Sequence, residues 1–235
     1  MAILEVRGLM MRFGGVMALN AVDMDVPTGE ITGLIGPNGA GKTTLFNVIN
    51  GMLEPSSGTV RLSGVDATRF PPHRRAKLGL ARTFQRLELF ASLSVRDNVR
   101  VAAELAGRRH IKHAVERILA RVGLQNVADR TAGELPTGSA RLVEIARALA
   151  TQPTVLLLDE PASGLGDTET AHLATLLHDL AHEGLAILLV EHDVNFIMDV
   201  CDTIYVLDLG EVIAHGSPEE IRRNPLVLSA YLGAS

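Results

Sequence analysis

The sequence predicts an α/β protein on a mostly parallel sheet, interrupted by a helix-only segment. Three observations carry this. Ile31 to Ile35, Val155 to Leu158 and Leu185 to Val190 are short apolar runs without alternation, the pattern of strands covered on both faces. Helical stripes lie between such runs, as in Leu173, Leu176, Leu177 and Leu180. From about residue 85 to 150 the strand signals stop and only helical spacing remains.

The elements follow in order. Ile3 to Leu9 and Val22 to Val26 alternate as strands, and Pro27-Thr28-Gly29 marks a turn before the run ending at Gly36. Residues 42–49 lack breakers and read as a helix. Ser94 to Ala106 is a second helix, opened by a capping-box variant of Ser94 with Asp97. Ile111 to Val122 is a third, striped by Ile111, Val115, Ile118 and Leu119, and Val143 to Leu149 a fourth. Strand and helix then alternate again, ending with a strand over Thr203 to Leu207.

Composition bounds the function. The 235 residues suffice for a sizeable core, and 47% hydrophobic with 21% charged residues excludes a disordered chain or a coiled-coil rod. The net charge of −5 and the lack of an evident basic patch argue against nucleic acid as a partner. No apolar run approaches the roughly 20 residues that cross a bilayer, the N-terminus does not read as a secretory signal, and the single Cys201 fits a reducing compartment. A soluble, cytosolic protein is expected, one that partners must hold if it works at a membrane.

The strongest motif is Gly36-Pro37-Asn38-Gly39-Ala40-Gly41-Lys42-Thr43, a match to GxxxxGK[ST] followed by Thr44. Background composition gives about one chance in a hundred of this pattern in such a chain, and a strand before it with a helix after it is the required context. Glycines let successive N–H groups turn toward one phosphate, and the helix N-terminus adds positive potential. Lys42 would reach the β- and γ-phosphates, and Thr43 would place its hydroxyl on Mg²⁺. The second motif is the apolar run ending in Asp159 and Glu160. Carboxylates ending a buried strand need work or partners. Asp159 is expected near the metal, and Glu160 is expected to orient or deprotonate a water facing the γ-phosphate.

With these motifs in this order, the chain from about Ile3 to its C-terminus resembles the nucleotide-binding subunit of ATP-binding cassette transporters. The resemblance implies a P-loop NTPase (RecA-like) core with an antiparallel N-terminal β subdomain, about 1–84 and 151–235, and an inserted α-helical signature subdomain, about 85–150. It implies ATP and Mg²⁺ as cofactors. Phe13 stands where an aromatic ring stacks on adenine, with Val16 beside it. Gln85 falls in the glutamine loop that senses Mg²⁺ and the attacking water, and His192 matches the switch histidine at the γ-phosphate. The family's signature loop, Leu-Ser-Gly-Gly-Gln, caps the ATP of the opposite subunit. Here it reads Leu135-Pro136-Thr137-Gly138-Ser139. Pro136 supplies neither hydroxyl nor N–H, while Gly138 still permits close approach and Ser139 can donate from a shorter reach. After Glu160, the usual Ser-Ala-Leu-Asp is Ser163-Gly164-Leu165-Gly166, with Asp167 displaced by one. These departures imply an asymmetric pairing with a second cassette subunit that carries an intact signature.

The segment Ala81 to Phe90, together with Met10 to Gly15, Glu191-His192-Asp193 and Ala230 to Gly233, is similar to ATPases of branched-chain amino acid importers. Lipopolysaccharide-export and urea or amide systems are less similar. Membrane permeases are the implied partners, docking on a rim of Phe84, Leu87, Leu89, Phe90 and Leu93, unless those residues are core. A periplasmic or extracellular binding protein acts indirectly, and the chain would sit peripherally at the cytoplasmic face of the inner membrane. A soluble cassette protein of translation or DNA repair would usually carry two cassettes or a long coiled-coil insertion. A small-molecule kinase would leave Phe13, Gln85 and His192 without a role. Two features read blandly. His178 and His182 lack a third ligand for zinc, and Arg108 to His113 is a short basic loop, solvated or else near a membrane surface.

Overall fold

The computed structural model describes residues 2–84 and 87–232. Its first strands, β1 (Ala2–Phe13) and β2 (Val16–Pro27), form a long antiparallel hairpin turning at Gly14 and Gly15. β3 (Ile31–Ile35) follows, then the phosphate-motif loop and α1 (Lys42–Asn50). β4 (Ser57–Leu62), β5 (Val65–Asp66), α2 (Pro72–Lys77) and β6 (Leu80–Arg82) lead to three helices, α3 (Val95–Leu105), α4 (Ile111–Arg121) and α5 (Thr137–Ala150). The chain then runs through β7 (Val155–Asp159), α6 (Asp167–His182), β8 (Ala186–Val190), α7 (Val194–Val200), β9 (Thr203–Asp208) and β10 (Glu211–Gly216) to α8 (Pro218–Arg223) and α9 (Pro225–Leu232).

Two sheets result. An antiparallel sheet has the order β2-β1-β4-β5, and a second sheet has the order β10-β9-β3-β8-β7-β6. In the second, neighbours from β9 to β6 pair in parallel and only β10 is antiparallel. β3, β7 and β8 are buried at every residue. Alternate side chains feed opposite cores: Leu156, Leu158, Ile187 and Leu189 pack on the side of α3 to α7, and Val155, Leu157, Ala186 and Leu188 pack with α1 and the antiparallel sheet. Burying each such side chain is worth about 1.5–3 kcal/mol, so a register slip in the central strands is strongly disfavoured.

The predicted helices form with modest shifts, and α5 differs most. It starts at Thr137, not Val143, with Pro136 as its N-cap. Proline is tolerated there because the first helical N–H groups have no intrahelical acceptor. Gly138 and Ser139 therefore occupy the first turn of a helix rather than a loop. At α3 the Ser94 hydroxyl oxygen accepts from the Asp97 N–H at 3.0 Å, as the capping variant requires.

The far end of α1 is held by Arg75, a side chain only 1% exposed. Its guanidinium donates to the carbonyls of Val48 and Ile49 at the end of α1, and to those of Thr68 and Phe70. Gly51, at φ +80°, leaves room for it, since a Cβ there would lie 2.7 Å from Arg75 Nε. Burial pushes the guanidinium pKa down to about 10.

Candidate functional site

Three segments meet at the C-terminal ends of β3, β7 and β8, where open parallel sheets place ligands. After β3, the chain curls through Gly36 to Gly41 and enters α1. Close packing dictates the glycines. A Cβ on Gly36 would stand 2.0 Å from the Leu207 carbonyl oxygen, and one on Gly41 would stand 2.6 Å from that of Ala18. The first bond of α1 runs from the Leu45 N–H to the Gly41 carbonyl, so the amides of Lys42, Thr43 and Thr44 are the helix's open donors. Pro37 is half-buried, Asn38 and Gly39 are exposed, and Ala40 is buried against the loop's own turn. Lys42 is buried and donates to the carbonyls of Gly36 at 2.6 Å and Pro37 at 3.0 Å. Desolvation pushes its pKa down, opposed by the fields of Glu160 and Asp159, which places both carboxylates in its electrostatic reach. Thr43 is exposed.

At the end of β7, Asp159 is buried and paired with Arg82 of β6 at 3.0 Å. Glu160 takes a left-handed backbone, φ 52°, an uncommon state for a non-glycine residue that concentrates at functional sites. It directs Oε1 to 2.7 Å from Nε2 of His192, which follows β8. The central adjacency of β7 and β8 produces this contact, since Asp159 is in register with Val190. Beneath them, buried Glu191 accepts from the Ala162 N–H at 2.6 Å and from its own neighbour's, His192, at 3.2 Å. Burial, with Glu160 nearby, pushes the Glu191 carboxyl up against those hydrogen bonds. Phe13 and Val16, paired across the hairpin, are 47% and 67% exposed. Val16 lies two residues before Ala18, against whose carbonyl Gly41 packs.

A glycine-rich strand-loop-helix turn thus places Lys42 within the field of two carboxylates, one of them bonded to a histidine. Residues 19–163 match the ABC transporter family, and residues 211–235 match a C-terminal family described as branched-chain amino acid ATP-binding cassette transporter. The chain belongs to the ABC transporter family. The cassette is 43% identical to the high-affinity branched-chain amino acid transport ATP-binding protein LivG of Salmonella typhimurium, over 98% of both chains. It is equally identical, with the same coverage, to the corresponding BraF protein of Pseudomonas aeruginosa. Among solved structures, an ATP-binding cassette of an ABC transporter in its ADP conformation aligns with TM-score 0.90 and 31% identity over 99% of each chain. A dimeric bacterial ABC transporter cassette aligns with TM-score 0.82 and 26% identity, over 92% of this chain and 98% of the other. As a member of this family the cassette is a nucleotide-binding ATPase.

Within the cassette, the signature segment leans on the chain that follows Glu160. Gly138 is buried, and a Cβ there would lie 2.6 Å from a carboxylate oxygen of Glu169. That carboxylate caps α6 by accepting from the Gly166 N–H at 3.0 Å. Ser139 is half-buried and Pro136 and Thr137 are exposed. Gln85, a candidate for catalysis and for metal, lies outside the described residues. The chain on either side of it is held by α5: Arg141 donates to the Phe84 carbonyl at 2.8 Å, Glu144 accepts from the Glu88 N–H at 2.8 Å, and Arg147 donates to the Glu88 carbonyl. Leu87 and Phe90 are exposed at 40% and 45%, whereas Leu89 packs partly onto the core. Phe84 and Phe90 border a groove of about 920 Å³ between α2, α3 and α5.

Sequence reasoning missed Arg82 and Glu191. The only signal for either was adjacency, to Gln85 in one case and to His192 in the other. Among the described residues, no group of three His, Cys, Asp or Glu side chains forms a metal cage, and His178 with His182 stays without a third ligand. Cys201 is buried core.

Proposed function

We propose that the cassette energises the import of branched-chain or other hydrophobic amino acids, hydrolysing ATP as one half of a dimer of cassettes on membrane permeases. The contact that carries the hydrolytic reading is Glu160 to His192 at 2.7 Å, beside the phosphate cradle. The cargo reading rests on likeness to LivG and BraF, whose names state branched-chain amino acid transport, and on the C-terminal match.

In this reading, Phe13 and Val16 offer the adenine an exposed apolar platform. The amides from Gly39 to Thr44 surround the phosphates, with Gly36 and Gly41 making the tight turn that aims them. Lys42 exchanges the Gly36 and Pro37 carbonyls for the β- and γ-phosphates. Mg²⁺ fits the donors present. Thr43 offers an exposed hydroxyl and Asp159 a carboxylate, both hard oxygens, and the lack of a full protein cage is usual for an ion that also binds phosphates and water. When bound, the ion neutralises charge on the phosphates. Glu160 holds a water in line with the γ-phosphorus and takes its proton, and His192, hydrogen-bonded to that carboxylate, sits where the transferred group gathers charge. ADP and phosphate are the products.

No described helix is long and apolar enough to cross a membrane. Attachment therefore falls to permeases docked in the groove beside Phe84 and Phe90, at the cytoplasmic face. The partner cassette is a different chain with an intact signature. Pro136 removes a hydroxyl and an N–H from this one, and losing a donor to a charged acceptor costs about 1.5–3 kcal/mol. In this arrangement residues 85–150 act as the signature subdomain, and 1–84 with 151–235 as the nucleotide-binding core.

Glu160→Gln in the assembled transporter tests the reading. ATP hydrolysis should fall at least about 100-fold while ATP stays bound and the dimer stays closed. Unchanged turnover would remove Glu160 from its role.

A further inference from the structure

Outside the nucleotide site, the end of α3 and the start of α4 gather positive charge that the surrounding acids do not answer. Glu104 pairs with Arg100, Glu116 and Asp129 with Arg96, and Glu183 with Arg121, while Asp179, across the adjoining cavity, makes no ion pair with Arg108 or Arg117 among the described residues. Arg108 and Arg117 have no ion-pair partner among the described residues. With His113 they line a cavity of about 420 Å³ in whose wall no carboxylate stands. Gln152, in a left-handed backbone at φ 55°, closes its far side. Nη1 of Arg108 is sealed from solvent without a hydrogen-bond partner. Burial, and then the field of Arg117, both push the Arg108 pKa down. Two guanidinium groups set together without an acid cost the fold free energy, and a buried donor left unpaired adds to it. An anion between them removes both penalties, and a phosphate matches the guanidinium fork.

We propose that Arg108 and Arg117, with His113 and Gln152 on the cavity wall, form a binding site for a phosphate-bearing anion. The source favoured by the surroundings is the headgroup of an anionic phospholipid. Leu105, the last residue of α3, is 84% exposed and stands three positions from Arg108. An apolar side chain projecting beside clustered cations is the usual footprint of contact with an anionic membrane surface. Free phosphate shares the chemistry. The site uses none of the residues of the nucleotide site.

The test uses the full chain saturated with MgADP and two probes, vesicles of phosphatidylglycerol in phosphatidylcholine and inorganic pyrophosphate. It compares the wild type with R108Q/R117Q and with K112Q/R130Q, which removes the same charge from exposed positions outside the cavity. The wild type should bind the vesicles about tenfold more tightly than R108Q/R117Q, K112Q/R130Q should stay near the wild type, and all three should hydrolyse ATP equally. Loss at R108Q/R117Q seen with pyrophosphate but not with vesicles assigns the site to a free anion. Equal binding of both probes by the wild type and R108Q/R117Q, an equal loss in K112Q/R130Q, or binding of neither probe overturns the site.

Discussion

Arg82 donates from one terminal nitrogen to Asp159 at 3.0 Å and from the other to Asn47 at 2.7 Å, tying the acidic end of β7 to the phosphate-loop helix. Its pKa is pushed down by burial and held up by Asp159. Removing one partner of a buried pair strands the other, at about 3–5 kcal/mol. Arg82→Ala should therefore lower the melting temperature by about 10 °C. Arg82→Ala combined with Asp159→Asn should recover part of the loss, which a thermal-denaturation double-mutant cycle will read. Additive losses would mean that the pair does not couple.

Glycines 36 and 39 differ in why they are glycine. At 36 a Cβ meets the backbone of Leu207 at 2.0 Å, while at 39 nothing lies within 4 Å and only the φ of +82° disfavours a side chain. Gly39→Ala should cost about 1–2 kcal/mol and leave a folded protein. Gly36→Ala should abolish soluble folded protein. Expression yield and melting curves of the two variants will separate clash from strain.

Phe13 keeps 47% of its surface exposed at the tip of the hairpin. Phe13→Ala removes little core packing, so stability should barely change. Affinity for ATP should fall by the roughly 1–3 kcal/mol of base stacking, about 5- to 150-fold in Kd by calorimetry. Unchanged affinity would place the adenine elsewhere.

Glu144 and Glu191 have carboxyls pushed up mainly by burial. Each binds its proton more tightly folded than unfolded. Their contribution to stability is thus full below the ordinary glutamate value of 4.5 and is lost as pH rises through the raised values. Glu144→Gln keeps an acceptor for the Glu88 N–H and removes the titration. Its stability should gain on the wild type as pH rises from about 4.5 toward neutral, measured by urea denaturation across that range. A constant difference across that window would contradict the shift.

The central strands were legible in the sequence because burial on both faces leaves an unbroken apolar run: Ile31 to Ile35 matches β3 at both ends, and Val155 to Leu158 lies within one residue of β7. The turn from β3 into α1 was legible because glycine and lysine at fixed spacing between a strand and a helix admit few other local structures. The start of α5 was not, since Pro136, Thr137, Gly138 and Ser139 are poor helix formers that tertiary contacts hold in place. β4, β5 and β10 have half-exposed or exposed residues and so lack a clean period. Arg75 reads as one more basic residue beside Arg74, yet it is buried and bonds four carbonyls that come from two separate stretches of chain. Roles like those of Arg75, Arg82 and Glu191 depend on which distant atoms the fold brings within 3 Å, and no local pattern encodes that.

Helix α5 begins with the signature residues and, one to three turns on, grips the backbone around Phe84 and Glu88 through Arg141, Glu144 and Arg147. Fourteen residues make it a rod of about 21 Å. Tilting such a lever by about 5° swings its tip by nearly 2 Å, more than half the length of a hydrogen bond. A push at the grooved end is thereby carried along one continuous helix to Thr137, Gly138 and Ser139 in its first turn.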